Sequence, residues 1–182
     1  MLLRGLPGVD LRVLHLVRDS RGVVFSWQKR VRRTDRPEVP DDDEMFRYGA
    51  AAASARYAYY NGLTHALRAA RVPYRFLRYE DLVAAPERHL RNALAFAGRP
   101  AENCDLAFLA ASGSDGASHA ELAPNHTVDG NPMHMQQGPV PLRVDDAWRR
   151  DMGAVDRTVV SSLTAPMLAL YRYLPGRPRP GR

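Results

Sequence analysis

An arginine and a serine in the first part of the sequence are well suited to hold an anion. Arg18 follows the apolar run of residues 11–17, and Ser26 comes eight residues after the arginine. Asp19 or Ser20 can cap a helix that begins directly after Arg18, and the free N–H groups at a helix N-terminus attract anions. The planar guanidinium of arginine donates two parallel hydrogen bonds to phosphate or sulfate. The pattern therefore predicts an anion site at the start of this helix.

A glycine inside the predicted helix leaves room beside the arginine. Gly22 and Ser26 are four residues apart and share one helix face, where the Ser26 hydroxyl can donate to an oxygen that Arg18 holds. A purely structural role stays open for both side chains. In that case Arg18 pairs with a carboxylate, and Ser26 bonds back to its own helix.

Two segments predict strands of a parallel sheet. Residues 11–17 carry apolar side chains on both faces, which is typical of a strand that helices cover on both sides. His15 in this run is interpreted as a core histidine with its hydrogen bonds satisfied. Residues 74–79 form the second predicted strand. Arg18 then stands at the carboxyl end of a strand, where open α/β sheets bind ligands.

Apolar residues at helical spacing predict the helices. Helices are expected directly after Arg18, over residues 46–71, from Pro86 as far as Gly98, and over residues 105–111, 145–152 and 155–173, the last bent at Pro166. The buried side of the 46–71 helix is expected to hold Ala52, Ala55, Tyr59, Leu63, Ala66, Leu67 and Ala70. Residues 112–144 are expected to be irregular, and His65 and His89 to be exposed on their helices.

The segment Leu16–Trp27, LVRDSRGVVFSW, resembles a known nucleotide-binding element. It is similar to the 3′-phosphate-binding element of the sulfotransferases that use 3′-phosphoadenylyl sulfate (PAPS), in the form common in bacterial members. The resemblance implies that Arg18 and Ser26 bind the 3′-phosphate of the cofactor.

Two later segments strengthen the resemblance. Residues 78–83, RYEDLV, followed by a helix from Pro86, are similar to a family block that implies a position near the adenine for Tyr79. Glu80 and Asp81 are interpreted as helix-start or salt-bridging carboxylates. Residues 126–149 resemble the family's C-terminal loop and helix, which fold over the nucleotide, although His134 stands where relatives often carry arginine.

The resemblance implies an α/β fold, the P-loop-NTPase-like sulfotransferase fold with a parallel sheet flanked by helices. The family's first strand and its Gly- and Ser/Thr-rich phosphate loop have no match before Leu11. We therefore expect an N-terminally truncated chain, with residues 1–174 as the C-terminal portion of the family domain and 175–182 as a basic tail. The missing part is expected to be encoded upstream in frame; a decayed gene fragment and a chain that acts with a partner are the alternatives. The general base usually lies in that absent part, so no catalytic residue is assigned, and residues 1–182 alone are expected to be inactive.

The function implied is transfer of a sulfonate group from PAPS to a hydroxyl or amine of a small-molecule or glycan acceptor. One alternative is a catalytically inactive fragment, or a binder of nucleotides such as adenosine 3′,5′-bisphosphate. Another is a basic nucleic-acid-binding protein, since the net charge is +6. That class is disfavoured because the sequence lacks an aromatic and basic platform and a base-reading helix.

The composition of the chain also limits which disulfides, metal sites and membrane segments are possible. Cys104 is the only cysteine in 182 residues, which excludes an internal disulfide and a zinc-type cysteine cluster, so no metal is expected. No apolar stretch approaches the roughly 20 residues that a membrane span needs. A cytoplasmic location is expected, with self-association through apolar sheet surface that an incomplete sheet leaves exposed.

Overall fold

The structure of this chain, a computed structural model, describes residues 7–30, 46–99, 102, 106–110, 118–123 and 138–174. The elements in chain order are β1 Val13–Val17, α1 Ser20–Gln28, α2 Ala50–Ala69, β2 Tyr74–Arg78, α3 Tyr79–Ala84, α4 Pro86–Phe96, β3 Leu109–Ala110, β4 His119–Leu122, β5 Gly138–Pro141, α5 Trp148–Asp151, α6 Ala154–Leu163 and α7 Ala165–Leu170. They divide between two compact units, one of residues 1–28, 48–82 and 146–182 and the other of residues 29–47 and 83–145. The assignment of 1–174 to one family domain stays a prediction.

The first unit contains the predicted parallel pair. β1 and β2 pair in parallel, from Val13 opposite Tyr74 to Val17 opposite Arg78. Helices α1 and α2 form the crossover between them, as a parallel connection requires. The carboxyl ends of both strands therefore meet at one edge, where Arg18 and Tyr79 follow.

Helix α1 begins where its capping residue predicts. The Asp19 carboxylate accepts the Arg21 backbone N–H at 3.0 Å, and Ser20 is the first helical residue. Val24 is fully buried, and Val23 and Trp27 pack against the cores of this unit. Val31, the next apolar residue at helical spacing after Trp27, lies outside the described residues.

The predicted buried side of α2 is wrong. Its buried residues are Ala50, Ala53, Ser54 and Tyr57. Five residues predicted to be buried are exposed instead, namely Ala52, Ala55, Tyr59, Leu63 and Ala66. Alanines occupy several rows of this helix, so its apolar periodicity is ambiguous. Tyr57 resolves the ambiguity, because its ring packs with Val17 and Tyr171.

Two clusters form the core of the first unit. One joins α1, α2, α5 and α6 through Val24, Ala50, Ala53, Trp148, Met152 and Val160. The other lies against β1 and contains Val17, Tyr57 and Tyr171. Their burial supplies the main stabilisation, about 25 cal/mol for each Å² of apolar surface removed from water.

One face of β1 is not covered as expected. Leu14 and Leu16 are 43% and 53% exposed, whereas Val17 is 2% exposed. The expectation that helices cover both faces of this strand is therefore wrong for the Leu14 face. Self-association through this surface stays a prediction.

The C-terminal helical region is broken where proline predicts. α6 ends at Leu163 and α7 begins at Ala165, with Thr164 between them and Pro166 in the first turn of α7. Proline is tolerated there because first-turn N–H groups have no intrahelical partner. The predicted bend at Pro166 is thus confirmed.

The second unit corrects two expectations. The predicted helix over residues 105–111 is wrong for its described part, because Leu109–Ala110 forms β3. The region expected to be irregular contains β4 and β5, and the three strands form an antiparallel sheet in the order β3-β4-β5. Ala120 pairs with Val140 and both are buried. The three strands have two, four and four residues, which is too short to show a clear alternation of apolar and polar side chains.

Helix α4 matches its predicted limits. It runs from Pro86 to Phe96, and the chain leaves it through Gly98, whose φ is 79°. Within the described residues, no helix is long and apolar enough to cross a bilayer.

Candidate functional site

Arg18 and Tyr79 come together at the carboxyl edge of the parallel pair. The Tyr57 hydroxyl donates to the Arg18 carbonyl at 2.8 Å and so holds the main chain where β1 ends. Tyr79 follows β2 directly as the first residue of α3. The Arg18 guanidinium carbon lies 5.0 Å from the centroid of the Tyr79 ring, which is within cation–π range.

Gly22 allows the guanidinium of Arg18 to lie against the first turn of α1. A Cβ at Gly22 would lie 3.4 Å from Nε and 3.5 Å from Nη2 of Arg18, and 3.3 Å from Cδ1 of Trp148. The contact with Trp148 is tighter than most side-chain carbons make, whereas the two contacts with Arg18 are ordinary van der Waals distances. The glycine therefore leaves the space in which the arginine and the tryptophan meet, as the sequence predicts for the arginine.

Ser26 lies one turn further along α1 on the face of Gly22. Its hydroxyl makes no hydrogen bond with any residue that the structure describes. Hydroxyls elsewhere in the helices do bond back to the carbonyl four residues earlier, at Ser54, Thr64, Thr158 and Thr164. The structural alternative for Ser26, a bond to its own helix, is therefore not what the geometry shows.

The ring of Trp148 borders this region, and two guanidinium groups lie close to it. The guanidinium carbon of Arg21 lies 4.4 Å, and that of Arg149 4.8 Å, from the centroid of its ring. Trp148 is only 6% exposed, so the ring is a fixed surface of the fold. Trp148 and Arg149 belong to the third resembling segment. Residues 126–134 of that segment lie outside the described residues.

Comparison with known proteins adds one finding. A family model described as sulfotransferase family matches residues 6–103, more than half of the 182 residues. The chain belongs to the sulfotransferase family. No curated protein and no solved structure matches this chain. The family match confirms the predicted resemblance and the α/β fold that it implies, and it supports sulfonyl transfer as the general reaction.

The match covers Arg18, Ser26 and Tyr79, the three residues for which the sequence predicts contacts with a nucleotide. The structure brings Arg18 next to Tyr79 and puts Ser26 on the Gly22 face of the same helix. Sequence reasoning missed Tyr57 and Tyr173, which contact the site or its neighbours from other parts of the chain. Their contacts are long-range, so no local pattern identifies them.

Glu80 and Asp81 take the structural roles predicted for them. Glu80 accepts the backbone N–H of Asp19 at 3.3 Å, and the Tyr173 hydroxyl donates to its other oxygen. Asp81 lies 4.0 Å from Arg78. Burial raises the pKa of the Tyr173 hydroxyl, and the adjacent Glu80 carboxylate raises it further.

Two histidines are joined to tyrosines beside the sheet of this sulfotransferase. His15 Nδ1 lies 2.6 Å from the Tyr74 hydroxyl, and His65 Nε2 lies 2.7 Å from the Tyr171 hydroxyl. The two imidazole centroids are 5.5 Å apart. His15 is thus a satisfied histidine, as predicted, whereas the predicted exposure of His65 is wrong because its ring stacks on Tyr171. Burial lowers the pKa of both histidines, and the neighbouring His65 lowers that of His15 further.

The described residues contain no group of three or more His, Cys, Asp or Glu side chains that could hold a metal ion. His15 and His65 are hydrogen-bonded to tyrosine hydroxyls, and neither is assigned as the general base. The chemistry that the site offers is recognition of an anion with an aromatic ring beside it.

Proposed function

We propose that this sulfotransferase binds PAPS, with Arg18 and Ser26 on the 3′-phosphate and Tyr79 beside the adenine. The bound nucleotide supplies a sulfonate group for transfer to a hydroxyl or amine of a small-molecule or glycan acceptor. The proposal rests chiefly on the Arg18 guanidinium, which lies between the Tyr79 ring and Gly22 at the start of α1.

The charges around α1 favour a phosphate. The N-terminus of this nine-residue helix carries a partial positive charge, and Arg18 adds a full one. Asp19 does not cancel them, because Arg21 holds its carboxylate through two side-chain hydrogen bonds of 2.9 and 2.7 Å. The Ser26 hydroxyl remains a donor without a partner among the described residues.

The aromatic ring suits the base of the nucleotide. A base that stacks on an aromatic side chain gains about 1–3 kcal/mol. Tyr79 already has the Arg18 cation over its ring, so one arginine can bridge the aromatic ring and the phosphate. This pairing favours a nucleotide with a phosphate close to its base over a simple inorganic anion.

Calorimetry with adenosine 3′,5′-bisphosphate and 5′-AMP tests the binding assignment. We expect the bisphosphate to bind more tightly, and Arg18→Ala to weaken that binding by about 2–3 kcal/mol, the upper part of the range of about 1.5–3 kcal/mol for a hydrogen bond to a charged group. Arg91→Ala is the matched control, since it removes the same charge from a side chain on α4 that pairs with Glu87 at 2.9 Å. Equal affinities for the two nucleotides, or equal losses in the two variants, contradict the assignment.

A transfer assay tests the transferase function directly. Radiolabelled PAPS is incubated with phenols, sugars and amines, and labelled products are counted. Transfer that Arg18→Ala abolishes supports the transferase and contradicts the expectation that residues 1–182 alone are inactive. Tight bisphosphate binding without transfer is the result expected both for that inactive portion and for a non-catalytic nucleotide binder.

A further inference from the structure

Four residues from three separate segments form a closed ring of side-chain and backbone hydrogen bonds, which we call the anchoring ring: Asp19, Arg21, Glu80 and Tyr173. Glu80 accepts the Asp19 backbone N–H and the Tyr173 hydroxyl on its two oxygens. Arg21 bonds to both Asp19 oxygens and also donates to the Tyr173 carbonyl at 3.1 Å. The ring therefore closes on itself.

The anchoring ring is next to both proposed nucleotide contacts in the chain. Asp19 follows Arg18, and Glu80 follows Tyr79. The Arg18–Asp19 peptide group is held at both ends, because Tyr57 donates to its carbonyl at 2.8 Å and Glu80 accepts its N–H at 3.3 Å. A peptide plane fixed in this way sets the direction in which the Arg18 side chain leaves the main chain.

The anchoring ring contains an ion pair, between Asp19 and Arg21, that is largely buried. The side chains of Asp19 and Arg21 are 7% and 14% exposed, so their ion pair is shielded from water. Such a pair is costly to disturb, because a lost partner leaves a buried charge uncompensated. Tyr173 is fixed in turn by its backbone N–H, which donates to Leu168 at 2.7 Å after a residue of positive φ, Arg172 at 61°. The end of α7 is thereby connected to the start of α1.

The cation–π pair of Arg18 and Tyr79 depends on this geometry. Arg18 follows β1 and Tyr79 follows β2. Each is next in the chain to a member of the anchoring ring, Asp19 for Arg18 and Glu80 for Tyr79. If Glu80 lost one of its two bonds, the start of α3 and the start of α1 would be free to shift apart. A shift of even 1 Å is large against hydrogen-bond tolerances.

We propose that Glu80 and Tyr173 are positioning residues that hold Arg18 and Tyr79 in the orientation needed for the nucleotide. Neither is required to touch the nucleotide itself. The inference rests on the proposed function, since it presumes that Arg18 binds the 3′-phosphate.

A double-mutant cycle tests it on the full chain, with adenosine 3′,5′-bisphosphate as the probe in calorimetry. Tyr173→Phe removes only the hydroxyl and keeps the ring beneath the Arg78 guanidinium, whose carbon lies 4.2 Å from the ring centroid. We expect this variant to lose about threefold to tenfold in affinity, the range of one ordinary hydrogen bond. In an Arg18→Ala background the same substitution should change affinity by less than about twofold, because the residue it positions is gone.

Tyr171→Phe is the matched control. Tyr171 also carries a hydrogen-bonded hydroxyl, which joins His65 and Asn61, but it takes no part in the anchoring ring. Its removal should lower the melting temperature and leave bisphosphate affinity unchanged. Glu80→Gln is the second variant, and it should show the same dependence on Arg18 as Tyr173→Phe.

The outcomes separate the two proposals. If Arg18→Ala binds as tightly as the parent chain, the proposed function is overturned and the positioning role with it. If Arg18→Ala weakens binding but Tyr173→Phe does not, only the positioning role is overturned. Equal losses from Tyr173→Phe in both backgrounds, or an equal loss from Tyr171→Phe, also overturn it, because a general structural effect then explains the result.

Discussion

Gly22 lies so close to Arg18 that a single added carbon would touch its guanidinium. The Cβ of an alanine there would lie 3.4 Å from Arg18 Nε. Gly22 sits inside a helix without positive φ, where alanine is otherwise the favoured residue. The glycine is therefore explained by the space that it leaves beside Arg18 and Trp148, and not by a backbone conformation that requires glycine.

Gly22→Ala should weaken binding of adenosine 3′,5′-bisphosphate by about tenfold, roughly the worth of one charge-assisted hydrogen bond. The new methyl group would meet Trp148 Cδ1 at 3.3 Å, so the indole must shift slightly, and it would press against the Arg18 guanidinium beside that ring. Calorimetry measures the loss. Gly62→Ala is the control, because nothing lies within 4 Å of a Cβ there. That change should raise the free energy of unfolding by about 0.5–1 kcal/mol and leave affinity unchanged. Unaltered affinity in Gly22→Ala would falsify the spatial argument.

Ser26→Ala should reduce bisphosphate affinity by about 1.5–3 kcal/mol, since the lost hydrogen bond is one to a charged phosphate. Its effect on 5′-AMP binding should be small, because that nucleotide lacks the 3′-phosphate. Ser54→Ala removes a hydroxyl that bonds to the Ala50 carbonyl at 2.7 Å and should leave both affinities as they are. Calorimetry with both nucleotides decides; similar losses for the two would show that Ser26 does not contact the 3′-phosphate.

A buried hydroxyl pair should show strong coupling. Ser20 and Thr164 are both fully buried, and their hydroxyl oxygens are 2.7 Å apart. Thr164→Val leaves the Ser20 hydroxyl without this partner, so it should lower the free energy of unfolding by about 1–3 kcal/mol. Adding Ser20→Ala should cost less than the sum of the two single changes, because no buried hydroxyl is then left unpaired. Urea denaturation of the four proteins measures the cycle, and additive costs would contradict the pairing.

Stability should fall as the solution becomes acidic. Burial holds the pKa values of His15 and His65 below the ordinary value of 6.5, so the folded chain takes up their protons only at lower pH. The unfolded chain takes them up near 6.5 and therefore binds more protons as pH falls from about 7.5 to about 5.5. Since the excess protons are on the unfolded side, the free energy of unfolding decreases over this interval.

Melting temperatures across that interval check the prediction. The double variant His15→Asn/His65→Gln keeps a neutral nitrogen towards each tyrosine hydroxyl but cannot be protonated. Its melting temperature should change less with pH than that of the parent. An equal slope in the two proteins would assign the acid sensitivity to other groups.

Local patterns were enough to predict much of the site. The capping carboxylate of Asp19, the spacing of Gly22 and Ser26, and the strand before Arg18 all depend on residues within about one or two helical turns of each other. The break at Pro166 is local in the same sense. These features are confirmed because backbone geometry alone relates such residues to one another.

Contacts between distant segments decided the rest. Alanine-rich α2 has no unique apolar row, so only the packing of Tyr57 on Val17 and Tyr171 selects its buried face. β4 and β5 have only four residues each, and each is stabilised by the backbone hydrogen bonds that it makes with the other. Tyr173 is hydrogen-bonded to Glu80, 93 positions away, and to Arg21, 152 positions away. A sequence names the donors and acceptors, but which of them meet depends on how the buried surfaces pack, and that is settled only when the whole unit folds.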